Sequence, residues 1–320
     1  MMPRLDFLKK FVMVFMINSV FFFSQNVYGG ESEKEVFLKG VAYGQQGNYD
    51  AAIKAFTKAI ELKPDFTEAY FNRGLAYYAE EKKDKALGDF NRALKIRPTL
   101  AEAYFYRANI YDSKHDLDRA LPDYTKALEI VPDLAPAYSA RGILYFKKGD
   151  FDRALSDFNK ALEIRSASAS SADYYLRGKT YSSKNIFDKA ITDYNKAIEM
   201  DPRNVDAYCD RGWAYQGMGN LRKAVLDDTK AIELDPKYSW AYYDRALASF
   251  RLEEFESALS DYKKAVELNP KGAANAYQEF IKRKSPSKDP QAGKTAQAIK
   301  DVLKPPPAWQ KLTGKIRGKK

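Results

Sequence analysis

The chain has 320 residues, 45% of them hydrophobic, which excludes a disordered protein and allows either two ordinary domains or one long repeat array. It contains one Cys and one His, so an internal disulfide is impossible, and most metal sites and triad-type catalysis are excluded with it. The formal charge of +10 is unevenly spread. Residues 273–320 hold twelve bases against three acids and residues 1–29 hold three bases against one, so the stretch between carries −1. The basic character belongs to the ends and gives no ground for nucleic-acid binding by the whole chain.

Residues 1–10 carry Arg4, Lys9 and Lys10, and an apolar run follows from Phe11 to Phe23, interrupted only by Asn18 and Ser19. Polar residues and Val27-Tyr28-Gly29-Gly30 come next. A basic end, a short apolar core and a small-residue exit form the order of a secretory signal peptide. The run is short for a bilayer span, which needs roughly 20 residues. The expectation is a signal at 1–29, cleaved near Gly29, and export to the periplasm or beyond. An uncleaved membrane-anchoring helix is the alternative.

A 34-residue period occupies most of the remainder. Ala recurs at Ala52, Ala86, Ala120, Ala154, Ala190, Ala224 and Ala258, and again seven residues after each. Gly or Ala stands twelve residues before each, at Gly40, Gly74, Ala108, Gly142, Gly178, Gly212 and Ala246. Pro closes six of the seven periods, at Pro64, Pro98, Pro132, Pro202, Pro236 and Pro270; Ser166 replaces it in the fourth, where two extra residues lie. Numbering each period from slot 1 at Glu33, aromatics fall mainly at slots 4, 11 and 24. Each period holds two apolar-periodic stretches of helical length, a polar turn between them and a Pro stop. Small residues at slots 8 and 20 are expected to let the two helices approach closely. One pair cannot bury its apolar face alone, so neighbours must stack.

This pattern resembles the tetratricopeptide repeat. The resemblance implies an all-α, right-handed superhelical solenoid of seven helix pairs, at 33–66, 67–100, 101–134, 135–168, 171–204, 205–238 and 239–272. Residues 273–284 read as a capping helix, with Tyr277, Phe280 and Ile281 on one stripe, and 285–320 as a basic, largely flexible tail. Departures from the pattern are Asp228 for the aromatic at slot 24 of the sixth repeat, Ser249 for Tyr at slot 11 of the seventh, Val36 at slot 4 of the first, and Pro122 inside a helix of the third. Weaker packing is expected at Asp228 and a kink at Pro122. Ser166 to Ser171 reads as a flexible linker.

Slot 7 is basic throughout: Lys39, Arg73, Arg107, Arg141, Arg177, Arg211 and Arg245. Slot 23 is Ala55, Asp89, Asp123, Asp157, Asp193, Asp227 and Asp261. The one repeat without Arg also lacks Asp, so ion pairs within each of the second to seventh repeats are expected, structural rather than ligand-binding.

No phosphate loop, dinucleotide fingerprint, metalloprotease helix motif or calcium loop is present, and no catalytic residue, metal site or cofactor is expected. His115 stands at a turn slot where other repeats have Gly47, Gly149 and Gly219, which fits a left-handed backbone rather than a catalytic base. Cys209 reads as a partly exposed packing residue. By resemblance, slots 2, 5, 6, 9, 12 and 13 line a concave groove. The Lys, Asn and Arg with which one subtype grips a terminal carboxylate are absent. The groove offers aromatics instead: Phe71, Tyr78, Phe105, Tyr106, Phe146, Tyr175, Trp213, Tyr243 and Phe250, some of them packing between adjacent first helices. Asn109, Lys179, Asp210 and Asp244 supply polar contacts. The expected function is a non-enzymatic, exported scaffold for a peptide or partner protein, centred on Trp213. An envelope component tethered by its basic tail to a membrane or anionic polymer, or an accessory subunit of an envelope enzyme complex, is the alternative.

Overall fold

The computed structural model describes residues 31–269. The predicted signal segment, capping helix and basic tail lie outside the described residues. The chain divides into two compact bodies, Met1–Gly149 and Asp150–Lys320.

The first body contains α1 (Glu33–Gln45), α2 (Tyr49–Leu62), α3 (Thr67–Ala79), α4 (Lys83–Ile96), α5 (Ala101–Ser113), α6 (Leu117–Ile130) and α7 (Ala135–Lys147). The second contains α8 (Phe151–Arg165), α9 (Ser171–Ser183), α10 (Phe187–Met200), α11 (Val205–Gly217), α12 (Leu221–Leu234), α13 (Ser239–Arg251) and α14 (Phe255–Leu268). No strand occurs among the described residues. Within each body, sequential helices pack against one another, and first helices of adjacent repeats also touch. Each body stacks three helix pairs and one further helix, α7 in the first and α8 in the second.

Local chemistry explains the boundaries. Asn48, Asp116 and Asp150 cap their helices by accepting a hydrogen bond from the backbone N–H three residues on. The residues before the slot-32 prolines, such as Lys63, Arg97, Val131 and Asp235, are extended, because a following Pro clashes with the helical conformation. The fourth repeat lacks that Pro, and α8 accordingly runs one residue further, to Arg165. The residues between α8 and α9 are less of a free linker than their composition implies. Ser166–Ser168 forms a 3₁₀ turn, and Ser170 caps α9 in a reciprocal pair with Asp173. The helix α6 runs unbroken through Pro122, with the same length as α4.

All seven turn residues at slot 15 adopt a left-handed backbone, from Gly47 (φ 75°) to His115 (φ 60°) and Glu253 (φ 66°). His115 is thus a turn residue, as its slot implies.

The repeat alanines form the spine of each stack, with Ala52, Ala86, Ala190 and Ala224 wholly buried. The slot-8 glycines meet the slot-24 side chain rather than the slot-20 alanine. A Cβ at Gly40 would lie 2.6 Å from the Phe56 ring, and one at Gly74 would lie 2.7 Å from Phe90. At these two positions glycine leaves the ring of the second helix the space that a Cβ would take.

Candidate partner-binding face

The basic slot 7 builds structure, as its pairing with slot 23 implies. Arg73, Arg107, Arg177, Arg211 and Arg245 each donate two hydrogen bonds to the Asp sixteen residues on, at 2.6–2.8 Å. Their remaining nitrogen reaches back to slot 25 of the preceding repeat. Arg73 donates to Thr57, Arg107 to Asn91, Arg177 to Asn159, Arg211 to Asn195 and Arg245 to Thr229. Arg141 does the same with Thr125. Tyrosines at slots 4 and 11 cover the guanidinium faces; Arg211 lies 5.5 Å from the Tyr208 ring centre and 6.0 Å from that of Tyr215. Each of the five Arg paired with an Asp therefore joins its own two helices and the repeat before, with all three of its nitrogens engaged. Lys39, without an Asp, pairs with Glu31 instead.

Most of the expected groove aromatics turn inward. Phe71, Phe105, Tyr175 and Tyr243 are buried, because the slot-5 ring packs on the slot-24 ring of its own repeat. The ring centres are 5.8 Å apart for Phe71–Phe90, 6.0 Å for Phe105–Tyr124, 6.0 Å for Tyr175–Tyr194 and 6.1 Å for Tyr243–Tyr262. Tyr106 is wholly buried against Phe71, Tyr78, Phe90 and Phe105. Asn109 accepts from the Tyr124 hydroxyl at 2.6 Å and so serves the interior. Phe250 is buried, while Tyr78 and Phe146 are half-buried. Cys209 is buried rather than partly exposed, and donates to Asp244 at 3.3 Å.

What remains accessible on the first helices of the second body lies on α9, α11 and α13. Lys179 reaches across from α9 to α11, with its Nζ 3.7 Å from Asp210 Oδ2 and 3.2 Å from the Tyr175 hydroxyl. That hydroxyl donates to the same carboxylate at 2.8 Å. Burial raises the Asp210 carboxyl above its ordinary range, against the opposing pull of Lys179 and Tyr175. Trp213 is half-buried on α11. Trp240, on α13, is 45% exposed and stands edge-on to Tyr243 at 6.1 Å. Trp240 occupies slot 2, one of the slots that the resemblance assigns to the groove, and is absent from the aromatics expected there. Beside it in sequence, Tyr238 donates to Asp206 at 2.6 Å.

This is the architecture of a helical-repeat interaction protein. Tetratricopeptide repeat family models match residues 37–101, 101–134, 135–167, 205–238 and 239–271, and a TPR repeat model matches 178–219. The chain belongs to the tetratricopeptide repeat family. Such repeats are generally non-catalytic scaffolds for protein–protein interaction. No curated protein matches the chain. Among solved structures it is similar to YrrB, described as a TPR protein with an unusual peptide-binding site, at 27% identity over 59% of this chain and 97% of that one, with a TM-score of 0.51. It is also similar to the C-terminal part of a TPR repeat-containing protein from Cytophaga hutchinsonii, at 22% identity over 75% and 98%, TM-score 0.59. A tetratricopeptide repeat protein from Parabacteroides merdae matches at 22% identity over 86% and 98%, TM-score 0.55. The last two likenesses concern the fold alone.

Proposed function

We propose that the chain is an exported scaffold that holds an extended peptide or a partner protein on the first helices of its fifth to seventh repeats. One observation carries this reading: Trp213, half-buried, shares α11 with Asp210 of the Lys179–Asp210 pair, and Trp240 stands 45% exposed on the next first helix, α13. Tryptophan is enriched among the few residues that dominate an interface, and a half-exposed ion pair at its side supplies orientation. The peptide-binding description of YrrB, at 27% identity, supports a peptide as the ligand class. The slot-7 arginines are not part of the site, since their nitrogens are engaged internally.

Export rests on the basic and apolar order of residues 1–29. Mass spectrometry of the mature protein from its native cell tests it, with an amino terminus near Gly30 expected. Full-length chain retained in the membrane fraction means an anchor. For the binding reading, the mature chain is used as bait against proteins of the same compartment, alongside the Trp213→Ala/Trp240→Ala double variant. Partners retained by the first and lost by the second are expected. Equal recovery by both removes this face from the function.

A further inference from the structure

In five repeats the slot-5 ring lies against the slot-24 ring, as Phe37 does with Phe56 at 5.5 Å. The sixth repeat places Cys209 and Asp228 at those same two slots. Asp244, at slot 6 of the seventh repeat, closes on them from α13. The Sγ of Cys209 and one carboxylate oxygen from each Asp lie within 4.8 Å of one another, on three different helices. Asp228 has no exposed surface, and neither of its oxygens is hydrogen-bonded to another protein group. A Cβ at Gly212 would stand 2.8 Å from Asp228 Oδ1, so the slot-8 glycine that elsewhere admits a ring here admits a carboxylate.

This is an expensive arrangement for the protein alone. Removing an ion from water is costly unless a counter-charge replaces the solvent. The charges that act on Asp228 are Asp244, Asp227, Asp261 and Arg245, and three of those four are acids. Arg245 gives its guanidinium to Asp261 and Thr229. Arg211 likewise is held by Asp227 and Asn195, and Lys179 by Asp210. Among the described residues, the three groups thus face one another with every nearby cation committed elsewhere. Burial, the leading cause, raises the Cys209 thiol and the Asp228 carboxyl and brings Asp244 to about 7.

We propose that Cys209, Asp228 and Asp244 form a binding site for a divalent transition-metal ion, with zinc as the best-suited occupant. Sulfur and carboxylate together select a borderline-soft cation over magnesium or calcium. Zinc bonds of about 2.3 Å to sulfur and about 2.0–2.2 Å to oxygen set ligand atoms roughly 3–4 Å apart in a tetrahedron. The Cys209 Sγ to Asp244 Oδ2 separation of 3.3 Å already fits, and no spacing in the cluster exceeds 4.8 Å. A dication held by the thiolate and two carboxylates leaves one net negative charge at the site. Binding displaces the thiol proton and any on the carboxyls, and it ties α11, α12 and α13 at a single point. The absence of a metal motif in sequence is accounted for: the ligands are nineteen and sixteen residues apart, on successive helices.

The test is titration of the untagged mature chain with zinc chloride, and with cobalt chloride as an optical probe. One saturable zinc equivalent, a thiolate-to-cobalt charge-transfer band and a zinc-dependent rise in melting temperature are expected. Cys209→Ser should abolish the band and weaken zinc at least tenfold. Asp228→Phe, which restores a ring like Phe56 and Phe90, should lose zinc binding while melting at or above the metal-free parent. That variant keeps the experiment decisive, because its loss of binding cannot be ascribed to misfolding. Failure of the parent to bind zinc, or binding and stabilisation unchanged in Asp228→Phe, overturns the proposal.

Discussion

Arg211 and Asp227 face each other across the two helices of the sixth repeat, joined by two parallel hydrogen bonds of 2.7 Å. The Asp is buried, and the Arg also holds Asn195 of the repeat before. Removing the carboxylate strands a cation between Tyr208 and Tyr215 with one of its two anchors gone. Asp227→Ala should therefore cost about 3 kcal/mol. The exposed pair Lys230–Glu233 is the comparison, and Glu233→Ala should change stability by less than about 0.5 kcal/mol. Urea unfolding of both variants measures the difference. Equal, small losses would mean that the slot-7 arginines do not bind the stack together.

Two glycines of the second repeat should respond oppositely to the same change. At Gly74 an added Cβ would stand 2.7 Å from the Phe90 ring, whose backbone and neighbours leave it little room to move. Gly74→Ala should cost roughly 1–3 kcal/mol. Gly88 lies exposed within α4, and an added Cβ meets nothing within 4 Å. Gly88→Ala should stabilise by about 0.5–1 kcal/mol through helix propensity. Thermal melts of the two variants check both signs.

The turn of the second repeat holds Glu81 at φ 60°, where the first, fourth and sixth repeats have glycine. A left-handed backbone costs an ordinary residue roughly 1–2 kcal/mol. Glu81→Gly removes that strain and adds some unfolded-state entropy, so a net gain of about 0.5–1 kcal/mol is expected. An unchanged or lower melting temperature would mean that the contact of Glu81 with Lys83 outweighs the strain.

The period, the helix stops and the slot-7 ion pairs are all legible in the sequence, because each leaves a correlated trace. Lys39 and Ala55 depart together, which ties slot 7 to slot 23 on sequence grounds alone. The link from slot 7 back to slot 25 leaves a trace too. Thr57, Asn91, Thr125, Asn159, Asn195 and Thr229 are all small and polar, whereas Lys263, which faces no following slot-7 arginine among the described residues, is not. The groove is less readable. An aromatic at slot 5 sits at the margin of the helix face, and sequence periodicity does not say whether it turns outward or onto its own second helix. The decisive sign is the slot-24 ring in the same repeats. Where that ring is missing, at Asp228, slot 5 is Cys209, whereas the fourth repeat keeps Phe158 at slot 24 with Ser139 at slot 5, so a slot-5 aromatic occurs only where slot 24 holds a ring, and the converse does not hold.

Trp213 and Trp240 differ in burial, and that difference orders their expected effects. Trp240 is 45% exposed and touches Tyr243 edge-on, so truncating it removes little from the stack. Trp213 is half-buried on α11 and contributes to packing as well as surface. Trp240→Ala should leave the melting temperature within about 1 °C of the parent, because a surface change of this kind is usually worth under 0.5 kcal/mol. Trp213→Ala should lower it measurably. On the proposed face both variants lose partner affinity, by about 2 kcal/mol or more for whichever ring is the anchor. Titration calorimetry with a partner peptide, run beside melting curves, separates the two contributions. If Trp240→Ala binds as the parent does and Trp213→Ala loses affinity only in proportion to its lost stability, the partner sits elsewhere on the molecule.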